Sequence, residues 1–223
     1  MQVQVTAVSE HASGLKASGG SSALVRKAKE IGLCVALGGA LALVFLFIFP
    51  AAAISTLMHA VLHLPGPGAG IAVIMGPFLL LALLGASVVS QTRGRALAAA
   101  LGFALSCSVV VSLLAIPTNP KGAIGSPLFI GAIALSGLAV EVVMRPGKST
   151  PPAVRCLLAG ATANLVLLLS YWLAIFPRTA EWIQWRDVPL LTALCVAAGL
   201  LSGYVARLLW KPLLGAFSVE CKE

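Results

Sequence analysis

His59 and His63 stand four residues apart, a spacing that puts both imidazoles on one face of an α-helix and lets them share a metal ion. No third ligand lies nearby, so the pair reads as a weak metal site, as contacts for another ligand, or as two histidines at a membrane surface. Glu141, in the run Leu138-Ala139-Val140-Glu141-Val142-Val143-Met144, is the one acidic residue well inside a hydrophobic stretch. A carboxylate there is costly unless paired or solvated, which makes it a functional candidate; alternatively it reaches water or pairs with Arg145 one turn later. Asn164 lies among Ala161, Thr162 and Ala163, and its amide needs partners from a neighbouring helix or from a ligand. Tyr171 and Trp172, with Trp182 and Trp185 beyond them, fit either an aromatic belt at the membrane surface or a lid over a ligand. Asn119 and Lys121 read as solvated turn residues or as groups that close a cavity.

These residues do not assemble into an enzyme. The chain has no Walker A motif, no HExxH, no GxSxG and no cysteine/histidine zinc pattern, and no acid, base and nucleophile converge in sequence. No catalysis and no cofactor are expected, and one embedded carboxylate without an intramembrane Lys or Arg gives little basis for a proton relay.

The elements that must position these side chains are membrane helices. Of 223 residues, 59% are hydrophobic and only 10% charged, a composition that requires a bilayer as solvent. Apolar runs near twenty residues select helices over barrel strands, because every backbone amide in hydrocarbon must be paired within the structure. The runs predict an all-α, polytopic membrane protein of about six spans: Ile31 to Phe49, Ile71 to Ser90, Ala96 to Ile116, Ser126 to Met144, Cys156 to Phe176, and Pro189 to about Trp210. Ser126 is the expected N-cap of the fourth, with Pro127 at its first helical position. Pro50 either bends a long first helix or separates a span from an interfacial helix over Ala51 to Leu64. Pro65-Gly66-Pro67-Gly68-Ala69-Gly70 is expected to be non-helical. Residues 1–29, rich in Gly and Ser, form the expected flexible leader, 30–212 the transmembrane domain, and 213–223 a tail.

The net charge of +8 does not point to nucleic acid, since the basic residues sit between apolar runs and not with aromatics on a soluble segment. Arg26, Lys27, Lys29, Arg93, Arg95, Arg145, Lys148, Arg155, Arg207 and Lys211 fall on one side of the six-span arrangement; the other side holds Lys121, Arg178 and Arg186. By the positive-inside rule both termini are expected in the cytoplasm of a multi-pass protein of the cell (plasma or inner) membrane. The cysteines form no CxxC pair and read as small packing residues.

Small residues recur every four positions at Gly32, Ala36 and Ala40 and again at Gly199 and Gly203, making ridges for close helix approach, within the bundle or against another subunit. Six short hydrophobic helices, the Ala36-x-x-x-Ala40 ridge, and a Pro/Gly-rich turn leading into Met75-Gly76-Pro77-Phe78 together resemble the substrate-binding S component of energy-coupling factor (ECF) transporters. That resemblance implies capture of a small-molecule or metal-ion substrate, such as a vitamin or vitamin precursor, at the external side. It implies docking of Gly32, Ala36 and Ala40 on a transmembrane coupling subunit driven by two cytoplasmic ATPases. It also places ligand contacts, by position, at His59, His63, Asn164, Tyr171 and Trp172, and at Glu141 if the cavity extends that far. A membrane assembly or scaffold protein that packs through the same ridges is the alternative reading.

Overall fold

The computed structural model describes residues 7–49, 53–54, 56–64, 68–90, 92–116, 124–145, 150–175 and 184–219, and among them the secondary structure is helical throughout. Six apolar helices follow: α1 (Ala7–Ile48), α2 (Gly76–Val89), α3 (Arg95–Leu113), α4 (Pro127–Val143), α5 (Pro152–Ser170) and α6 (Val188–Val219). Short π-helical turns lie at Thr56–Val61, at Ile71–Met75 leading into α2, and at Tyr171–Ile175 continuing α5. Five helical segments are long and apolar enough to cross a bilayer. The sixth, α4, has 17 residues, about 26 Å at 1.5 Å per residue against about 30 Å of hydrocarbon. The chain is thus a multi-pass membrane protein.

Helix α2 occupies the centre. It touches α1, α3, α4, α5 and α6, and those five pack in sequence around it, α1 on α3, α3 on α4, α4 on α5 and α5 on α6. Its buried residues, among them Leu79, Leu80, Leu83 and Leu84, occur on more than one face, as a helix surrounded by protein requires.

Two seams are made by glycine. Where α1 crosses α3, a methyl group on Gly38 would stand 2.0 Å from the carbonyl oxygen of Ala99, and one on Gly102 would stand 2.2 Å from that of Val35. Where α5 crosses α6, a methyl on Gly160 would stand 2.2 Å from the Gly199 oxygen, and one on Gly203 would stand 2.3 Å from the Cys156 oxygen. Backbones this close gain dispersion contact along the whole crossing, the main source of helix cohesion in lipid. Cys34, Cys107, Cys156 and Cys195 are free and buried, as packing residues are.

Several expectations change. Residues 7–29 belong to the same helix as the first span. Ala69 and Gly70 are helical, so the non-helical reading of the Pro/Gly stretch is corrected at its end; residues 65–67 lie outside the described residues, as does Pro50. Helix α6 runs past Trp210 to Val219. The cap of α4 is as expected: Ser126 Oγ accepts a hydrogen bond from the Phe129 amide at 3.2 Å, with Pro127 opening the helix.

Candidate functional site

Asn164 is the buried polar centre of the bundle. It is 1% exposed, and its Nδ2 donates to the carbonyls of Ala72 at 2.9 Å and Cys195 at 2.8 Å. One side chain thus ties α5 to α6 and to the π-turn before α2. The turn explains the need. The Gly76 amide donates to the Ile71 carbonyl, five residues back, and in that register the donor for Ala72 would be Pro77, which has no N–H. Asn164 supplies the missing donor. Its Oδ1 is buried without a hydrogen-bond partner and faces Gly76, where a methyl group would stand 1.8 Å from it. The Gly76 Cα hydrogen takes that place as a weak C–H···O donor.

Above Asn164 on the same face of the α5 segment lie Leu168 and Trp172, at steps of four residues, with Tyr171 alongside. Tyr171 is buried and Trp172 half-buried. Gly68, at φ +106°, presses its backbone onto them: a methyl there would lie 2.9 Å from Leu168 Cδ1 and 3.1 Å from Trp172 Nε1. Only glycine holds that left-handed conformation at such close approach without strain. The structure therefore places Tyr171 and Trp172 against the Gly68 turn, with Asn164 about two turns back along the same helix, against Gly76.

The histidines do not join them. His59 and His63 are both exposed; His59 Nδ1 lies 3.0 Å from the Leu64 carbonyl and His63 Nδ1 lies 3.1 Å from that of Val61. The shared-face reading is corrected here: the helical turn Thr56–Val61 stops before His63, whose φ is +49°, so no helix carries both imidazoles. Among the described residues no group of three His, Cys, Asp or Glu side chains could hold a metal ion.

Glu141 lies with the opposite end of the bundle. Its Oε1 accepts from the Ala96 amide at 2.7 Å, placing a carboxylate on the unpaired N–H groups and positive dipole of the start of α3. Among the described residues it makes no ion pair with Arg145, so the expected i, i+4 pairing is replaced by a cap from another helix. Changing Glu141 to Gln keeps an acceptor and removes the charge. Thermal unfolding in detergent is expected to show a loss of about 0.5–1 kcal/mol for Gln and about 1–2 kcal/mol for Ala; equal losses would mean the carbonyl cap is irrelevant.

Sequence reasoning misses the node beside it. Glu30 Oε2 on α1 accepts from Ser90 Oγ at 2.8 Å and from Thr92 Oγ1, while Arg95 donates to the Ser90 carbonyl. A carboxylate at the edge of the first apolar run is the signal that could have found it.

Of the two small-residue ridges, Gly199 and Gly203 are packed against α5. Gly32, Ala36 and Ala40 are exposed, and a methyl on Gly32 would meet nothing within 4 Å. Trp185 is 85% exposed; Asn119, Lys121 and Trp182 lie outside the described residues.

Neither a protein-family model, nor a curated protein, nor a solved structure matches this chain.

Proposed function

We propose that this chain is a non-catalytic membrane subunit that works by docking the Gly32/Ala36/Ala40 face of α1 onto another membrane protein. The carrying observation is a contrast. The glycines of the α1–α3 and α5–α6 seams touch neighbouring backbone, whereas the third small-residue row is presented outward. Lipid contact favours large apolar side chains at such positions, while small ones let a partner helix approach. In the specific form of the proposal the chain spans the membrane six times with both ends in the cytoplasm and serves as an ECF-type substrate-binding subunit. Its partner is then a transmembrane coupling subunit driven by two ATPases, and its ligand a vitamin, vitamin precursor or metal ion held toward the Gly68 turn.

A scaffold that binds no ligand is the second reading. It is favoured by Asn164, whose two amide hydrogens are both engaged by backbone carbonyls.

Affinity purification of the tagged chain from its native membranes separates these readings. Recovery of a coupling subunit with an ATPase pair, lost in the Ala36→Leu/Ala40→Leu variant whose own melting temperature is unchanged, supports the transporter form. Recovery of other membrane proteins, with the same loss, supports the scaffold. Retention of every partner by the leucine variant removes the docking face from both.

A further inference from the structure

The arginine-rich end of the bundle carries a separate site, one that depends only on the chain lying in a bilayer and not on the docking reading. Arg155, in the first turn of α5, is half-buried. Its Nη1 lies 3.4 Å from the carbonyl of Arg145, just past α4, and its Nε is buried with no hydrogen-bond partner. The α5–α6 seam brings a further arginine to this end. Gly203 abuts Cys156, so Arg207, one turn further along α6, comes beside the start of α5. Arg145 and Arg207 are exposed.

No carboxylate forms an ion pair with these arginines among the described residues. Glu141, one turn before Arg145, is held on the Ala96 amide, Glu30 on Ser90 and Thr92, and Asp187 pairs with Arg186. Three arginines at one end of the bundle, one of them with a buried N–H donor that has no acceptor, favour an oxyanion with several acceptor oxygens. The set lies at the end of apolar helices, at the depth where phospholipid headgroups begin. Basic pockets between helix ends at this depth select anionic headgroups.

We propose that Arg145, Arg155 and Arg207 form a binding site for the phosphate of an anionic phospholipid headgroup, with Arg155 Nε–H as its buried donor. The full chain, purified in neutral detergent with phosphatidylcholine, is titrated with phosphatidylglycerol while thermal unfolding is followed. A parallel titration uses inorganic phosphate. Phosphatidylglycerol is expected to raise the melting temperature saturably, since it binds the folded state, and additional phosphatidylcholine to leave it unchanged. Arg207→Gln, an exposed change that leaves the fold intact, and Arg155→Lys, which keeps the charge but loses the Nε donor, are each expected to raise the half-saturating phosphatidylglycerol about tenfold. Arg26→Gln, an exposed charge on α1 away from the cluster, is expected to change it less than about twofold. A rise equal for both lipids, or a loss with Arg26→Gln as large as with Arg207→Gln, overturns the site. An equal rise with inorganic phosphate at the same concentration overturns the lipid as the source and assigns the site to a soluble anion.

Discussion

Replacing Gly160 with alanine is expected to cost about 3 kcal/mol or more of stability and to lower the melting temperature in detergent by about 10 °C. The new methyl would stand 2.2 Å from the Gly199 oxygen and 3.1 Å from the Gly203 nitrogen. Both neighbours are backbone, so no side chain can rotate away and the two helices must separate. Separation also lifts Asn164 away from the Cys195 carbonyl, because Asn164 lies one turn along the same face of α5. Gly102→Ala, which meets the Val35 backbone at 2.2 Å, is expected to behave alike at the other seam. Gly32→Ala is the control: nothing lies within 4 Å, and a better helix former leaves stability unchanged or up to about 1 kcal/mol higher. Equal melting temperatures for Gly32→Ala and Gly160→Ala would refute the seam.

The second large effect is at Asn164. Asn164→Ala removes the donor to Ala72, whose alternative in the π register is Pro77, and an unpaired carbonyl in the bilayer interior is costly. A loss of about 3 kcal/mol is expected, of which up to about 2 kcal/mol belongs to the interhelical bonds themselves. The distinguishing measurement is a double-mutant cycle with Pro77→Ala, which restores an amide hydrogen next to the Ala72 oxygen. The pair is expected to recover at least about 1 kcal/mol relative to the sum of the single changes. Strict additivity would show that Asn164 does not stand in for the missing proline N–H.

Much of the bundle is legible in its residues alone. The apolar runs locate every long helix, and Ser126-Pro127 marks the start of α4, because capping chemistry is local. Asn164 and Glu141 are recognisable as polar groups that must find partners in an apolar setting. Their partners are not recognisable: they are the backbone groups of Ala72, Cys195 and Ala96, distant in sequence, and a peptide unit carries no residue-type signal. The histidine pair misleads for a related reason, since its spacing has meaning only while a helix continues, and the turn ends at Val61, before His63. Four-residue spacing identifies the ridge at Gly199 and Gly203, but not the α1–α3 contact through Gly38 and Gly102. Which face of a glycine-rich helix is covered depends on the crossing geometry of both partners.

The Glu141 cap also bears on how the protein is made. Ala96 waits for an acceptor 45 residues downstream, and Glu30 for hydroxyl donors 60 and 62 residues downstream. As the chain leaves the ribosome, α1 enters the bilayer with a carboxylate lacking its final partners, and α3 follows with its first amides uncapped. Both are completed from later segments: α1 once the end of α2 has emerged, α3 only after α4 is nearly synthesised. These two polar contacts therefore cannot form before the later segments have been made, whatever the order in which the helices pack.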